Sequence, residues 1–133
     1  MRKTSMETHR RQQMAGITER VQAAVEAAGI EQGLAVVYAP HTTAGIMVNE
    51  GTDPHVERDI LATLAQLVPT DGSYAHAEGN SDAHVKATLV GNSVTLMVNE
   101  GRLALGTWQR LFLFEGDGPR RRRVWVEVVN SRP

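Results

Sequence analysis

Cysteine is absent from this chain of 133 residues. That removes disulfides, thiolate nucleophiles and Cys-ligated zinc together, and leaves His, Asp and Glu as the side chains able to hold a metal strongly. Long apolar runs are missing as well. No stretch approaches the roughly 20 residues that a membrane span requires, so no membrane partner is expected. The first dozen residues carry Arg2, Lys3, Glu7, Arg10 and Arg11 among Ser and Thr, without the apolar core of a secretory signal, which points to a cytoplasmic protein. Charge of one sign is also lacking: the formal net charge is -1. Affinity for nucleic-acid backbones rests on clustered, uncompensated Lys and Arg, so nucleic acid is not an expected partner.

What is present describes one soluble globular domain over residues 1-133. Ile17, Val21, Ala24, Val25 and Ala28 recur at helical spacing before Gly29, which suits a left-handed C-cap, and predict a helix over Ile17-Ala28. A strand over Leu34-Tyr38 is stopped by Pro40, which sets His41 at a strand end. A second strand over Ile46-Val48 runs into the turn Asn49-Glu50-Gly51. Asp53 then caps a helix with Pro54 at its first position, and Val56, Ile60, Leu64 and Leu67 line one face until Pro69. A polar loop follows from Asp71 to Asn80. Ser81 is placed to cap a short helix over Asp82-Val90, although its weak period also admits a strand. Strands over Ser93-Val98, Thr107-Glu115 and Arg121-Val129 complete an α+β order of elements. In the last strand Val124, Val126 and Val128 share one face, and Arg121, Arg123, Trp125 and Glu127 the other, leaving Trp125 free to cover a subunit contact. The string Met-Val-Asn-Glu-Gly at Met47-Gly51 and Met97-Gly101 reads as two similar strand-to-turn junctions, not as a repeat.

His41, followed by Thr42 and Thr43, and His76 and His84, on either side of a polar loop, are histidines near element ends. Imidazole binds zinc-like metals well, yet this spacing matches no closed zinc motif, and the plainer alternative is that each ring hydrogen-bonds its own surroundings. Asn49, Glu50, Asp53 and Asp59 offer oxygens suited to magnesium. Asp53 already has a capping role, so Glu50 is the better acid or base. Strand alternation divides Arg121 and Arg123 from Arg122, so the run Arg120-Arg123 implies no continuous basic surface. Arg120, beside the Gly118-Pro119 turn, can grip a phosphate or form a surface ion pair. Lys86 shares a face with His84 in a strand but points elsewhere in a helix. Trp108 reads as packing in preference to a stacking surface.

An ordered set of segments carries a resemblance: His41-Thr42-Thr43-Ala44-Gly45, Asn49-Glu50, Asp53-Pro54, His76-Ala77-Glu78-Gly79-Asn80, Ala83-His84-Val85-Lys86, Leu105-Gly106-Thr107-Trp108-Gln109 and Asp117-Gly118-Pro119-Arg120. Together they resemble the YjbQ family in order and spacing. The resemblance implies a compact, sandwich-like two-layered β-structure with packed helices, assembled as a homotrimer. It also implies a secondary thiamine-phosphate synthase activity, joining hydroxymethylpyrimidine diphosphate to a thiazole phosphate with loss of pyrophosphate. On that reading His41 and Glu50 are catalytic, and Thr42, Thr43, Asn49, Lys86 and Arg120 contact the phosphorylated small molecule. His41, His76 and His84 hold a divalent metal, zinc-like by its ligands or magnesium accompanying pyrophosphate. The alternative is a non-enzymatic or regulatory protein that binds a phosphorylated metabolite or metal in trimer clefts; a metal-assisted hydrolase is a third reading.

Overall fold

A computed structural model describes residues 1-132. Among them lie two antiparallel sheets and three helices, so the mixed α+β expectation holds. The strands are β1 (Arg2-Glu7), β2 (Gln13-Gly16), β3 (Gln32-Tyr38), β4 (Ala44-Glu50), β5 (Ser93-Asn99), β6 (Arg102-Leu103), β7 (Gln109-Glu115) and β8 (Arg121-Asn130); the helices are α1 (Thr18-Ala28), α2 (Pro54-Leu67) and α3 (Ser81-Val90). One sheet has the order β1-β8-β3-β5-β6 and the other β2-β7-β4.

Alternation along β3 and β8 sends Val37, Val124 and Val126 inward, where they meet Ala15, Ala44, Ile46, Leu111 and Leu113 of the smaller sheet and Ile17, Val21 and Ala24 beside them, while Ala35, also inward, packs in a separate cluster with Val25 and Val98. Arg122 follows the same inward alternation and is buried. Gly29 takes the left-handed conformation, φ 66°, that closes α1. Asp53 caps α2 through its carboxylate, which accepts the His55 N-H at 2.9 Å. The segment from Ser81 to Val90 is helical, which settles the choice left open by its period.

Three strands lie outside the sequence expectation. β1 is an edge strand of Arg, Lys, Thr, Ser, Met and Glu that pairs with β8 and lacks a strong apolar alternation; β2 and β6 are four and two residues long. β7 begins at Gln109, not Thr107, so Trp108 stands in the turn before it and is 62% exposed. Its packing role is thereby corrected. Trp125 instead lies against Tyr38, ring centres 5.8 Å apart, beneath the Lys3 ammonium at 4.8 Å. No helix is long and apolar enough to cross a membrane among the described residues.

Candidate functional site

The start of β4 and the end of α3 are sewn together by backbone. Ile46 donates to the Gly91 carbonyl at 3.0 Å, and Ala39 donates to that of Asn92 at 2.8 Å. This close approach depends on Gly45, where an added Cβ would stand 2.4 Å from the Gly91 oxygen. On α3, His84, Ala87 and Thr88 fall at helical spacing on one face, and Gly91 follows as the C-cap. They meet His41, Thr42, Ala44 and Asn92 around a cleft of about 460 Å³. Two of the three singled-out histidines, distant in sequence, therefore share one cleft.

His41 is held by its neighbours. Its Nε2 accepts the Arg123 backbone N-H at 2.8 Å. An acceptor nitrogen carries no proton, so the neutral ring bears its proton on Nδ1. Burial first, and the nearby Arg122 charge second, lower the His41 pKa, with Glu115 opposing them. The ring is therefore neutral near pH 7 and its Nδ1-H is a donor.

Behind the cleft lies a buried network that the sequence reading missed. Arg122 is paired through Nε and Nη2 with the Glu115 carboxylate, and its Nη2 also donates to the Thr43 hydroxyl at 2.7 Å and the Thr43 carbonyl at 3.2 Å. Glu115 receives further bonds from the Thr8 hydroxyl and the Asp117 N-H. Burial opposes ionisation of Glu115, but Arg122, Asp117 and Thr8 outweigh it and hold the carboxyl below its ordinary range. The network anchors the chain on both sides of the cleft, since Thr43 follows Thr42 and Arg122 precedes the Arg123 that holds His41. Strand alternation was the available signal, for it set Arg122 apart from Arg121 and Arg123.

Other expected site residues are distributed differently. Lys86 is fully buried on the opposite face of α3 from His84, 2.9 Å from Asp82, and presents no surface to a ligand. Asp82 also binds Arg11 through both carboxylate oxygens and accepts from the Thr70 hydroxyl. Burial opposes its ionisation, but Arg11 and Lys86 prevail and keep it well below the carboxylate range. The Thr43 hydroxyl is taken by Arg122, whereas Thr42 is exposed on the cleft. Asn49 and Glu50 sit at the far end of β4, whose seven residues span roughly 20 Å, so one chain does not unite Glu50 with His41. Glu50 accepts the Asp53 N-H at 3.1 Å, and Asn49 accepts that of Glu50 at 2.7 Å. Arg120 forms an ion pair with Asp117 at 3.0 Å, and Asp117 also accepts from Asn80, whose oxygen faces His76 Nε2 at 3.1 Å.

The metal set is corrected by this geometry. His76 and His84 lie edge to face, ring centres 5.5 Å apart, but the His41 Nε2 lone pair is engaged by Arg123 and the neutral ring's Nδ1 carries the proton. Among the described residues no group of three His, Cys, Asp or Glu side chains is placed to hold a metal ion.

A family model described as UPF0047 protein YjbQ-like matches residues 2-131. A UPF0047 protein of Methanocaldococcus jannaschii is 43% identical over 98% of this chain and 94% of its own, and the UPF0047 protein YugU of Bacillus subtilis is 42% identical over 93% and 95%. A crystal structure of an uncharacterized conserved YjbQ/UPF0047 protein from Clostridium acetobutylicum has TM-score 0.95 and 46% identity, covering 97% of this chain and 100% of that one. Another, a protein of unknown function from Sulfolobus solfataricus, has TM-score 0.94 and 34% identity over 98% and 96%. These names state family membership or unknown function, and none states thiamine-phosphate synthesis, metal binding or capture of a phosphorylated metabolite. The transferase reading and its binding-protein alternative are therefore both withdrawn; fold and kinship carry over, the activity does not. On near full-length agreement in both sequence and fold, the chain belongs to the UPF0047 family of YjbQ-like proteins.

Proposed function

We propose that the His41-His84 cleft is the functional centre and that it works by imidazole proton chemistry on a small molecule presenting an oxygen atom. The observation that carries this reading is the Arg123 N-H on His41 Nε2, which commits His41 to donating through Nδ1. A neutral imidazole donor polarises a carbonyl or carboxyl oxygen without bringing a full charge into the site. His84, on the facing helix, is the partner that accepts or returns a proton. Thr42, Thr88 and Asn92 supply polar groups on the same walls.

The test uses protein labelled with 15N in histidine. The His41 ring is expected to show the Nδ1-protonated neutral form at pH 7, and acetate or acetamide to shift the His41 and His84 ring signals together. Ring signals unmoved by either probe, or a His41 protonated on Nε2, overturn the reading.

We propose further that the chain assembles as a homotrimer. Support comes from one apolar surface without cover in one chain and a second, on α2, that is only partly covered: Val56, Ile60, Leu61 and Leu64 are half-buried and Leu67 is exposed. The outer face of the larger sheet exposes Leu34, Val36, Met97 and Val129, with Met97 and Val129 directly opposite Leu34 in register. Helix α2 buries none of its 14 residues, although its apolar positions recur at helical spacing. Two different patches on one chain suit a head-to-tail contact that closes into a ring.

A further inference from the structure

Beside the histidine cleft lies a second cavity of about 370 Å³, lined by Tyr74, Ala75, His76, Ser81, His84 and Val85. His84 lines both cavities, so the two share a wall. The lining of the second is largely carbon: the aromatic ring of Tyr74, the methyl groups of Ala75 and Val85, and the two imidazole rings, which meet edge to face. That arrangement leaves ring faces and edges for a flat apolar group. Tyr74 is anchored by its hydroxyl, which donates to the Pro69 carbonyl, and His76 by Asn80 at 3.1 Å.

One atom in the wall is unexplained by the fold. The Ser81 hydroxyl is buried, the residue being 7% exposed, and has no hydrogen-bond partner among the described residues. A buried hydroxyl without a partner loses its bonds to water and gains none in return, and such atoms are few in native proteins. Its position at the first turn of α3, one helical turn before His84 and Val85, puts it in the same wall as those two residues.

We infer that the small molecule bound at the His41-His84 cleft carries a compact apolar body of about benzene-ring size, which lodges between Tyr74, Val85 and the His76 and His84 rings. This rests on the functional reading above and adds the substrate class to it: a polar oxygen-bearing end joined to a flat apolar end. A hydrogen-bonding substituent on that body would satisfy Ser81. Each cavity has a volume in the range of about 300-1,000 Å³ common for small-molecule pockets. An acid such as acetate fills only the polar half.

The experiment compares acetate with benzoate, following His41 and His84 ring signals in the full chain. Benzoate is expected to bind at least tenfold more tightly than acetate. Val85→Phe, which fills the second cavity from an exposed position, is expected to remove that advantage while leaving acetate binding unchanged; Ala75→Phe, from the loop before α3, is expected to do the same. Equal binding of the two acids overturns the inference but leaves the histidine site standing. So does a benzoate advantage that survives both substitutions, because the ring then lies elsewhere. If neither acid moves the histidine signals, the functional reading fails and this inference falls with it.

Discussion

Arg122 and Glu115 are the residues on which the cleft's geometry turns. Both are buried, and each side chain's charge is met by the other. Removing one partner of a buried pair strands the other, at a typical cost of about 3-5 kcal/mol. Arg122→Met is therefore expected to lower unfolding stability by about that much in a urea titration, and to change the His41 ring signals even where the protein is folded. A loss below about 1 kcal/mol would mean that Glu115 finds water or another cation. Acid should act on the same network. The lowered pKa values of Asp82 and Glu115 mean that the unfolded chain binds more protons below the ordinary values of 3.8 and 4.5. Their stabilisation is complete above that range and is lost as the pH falls through the folded-state values. His41 adds an earlier loss as pH falls below its ordinary 6.5, because the unfolded ring protonates first. A stability profile against pH should show both falls, with Glu115→Gln reducing the lower one and His41→Gln the upper. A flat profile from pH 7 to pH 3 would contradict the lowered values.

At the scale of elements, α3 serves two faces. Asp82 and Lys86 turn inward as an i, i+4 pair, while His84 and Thr88 turn to the cleft. The contact between its C-terminal end and β4 depends on Gly45. Gly45→Ala drives a methyl group against the Gly91 carbonyl, where backbone cannot easily yield, and is expected to cost about 1-3 kcal/mol and to widen the cleft. Thermal unfolding together with the ligand titrations measures both effects; an unchanged melting temperature would show that α3 shifts freely. α2 is a different case. With no buried residue in one chain it leans on its cap, so Asp53→Ala is expected to cost about 1 kcal/mol and to speed amide exchange in the first turn of α2 selectively. Uniform exchange across the chain would contradict that local role. These helices were legible because caps and 3.6-residue periods are local chemistry: Asp53-Pro54 marks one start and Gly29 one end. β1 was not legible, because an edge strand facing solvent along much of its length needs little apolar alternation and is defined by its pairing with β8.

For the whole molecule, the decisive quantity is the oligomeric state. Met97 is 66% exposed beside Leu34 on the outer sheet face, an arrangement expected to be covered in solution. Leu34→Asp with Met97→Asp should convert a trimer to monomer in light scattering, with the β-sheet content retained because both side chains point away from the core. A wild-type monomer at high concentration would overturn the trimer. Assembly also bears on Glu50, which a single chain holds at the far end of β4 from His41; only another copy can bring the two together.

The amino-acid sequence by itself determined the α+β class, the helices α1 and α2, the inward valines of β8, the strand-end position of His41 and the kinship with YjbQ-like proteins. Each depends on residues near one another in the chain, or on an ordered series of short segments. Tertiary structure alone decided that His41 and His84 share a cleft while Glu50 stands apart, and that Arg122 lies behind His41 with Glu115 and Thr43. Among those pairings Arg122 and Thr43 stand 79 positions apart, and the Arg123 bond that holds His41 spans 82. Their cause is sheet register and the docking of α3 on β4, which local propensity does not encode.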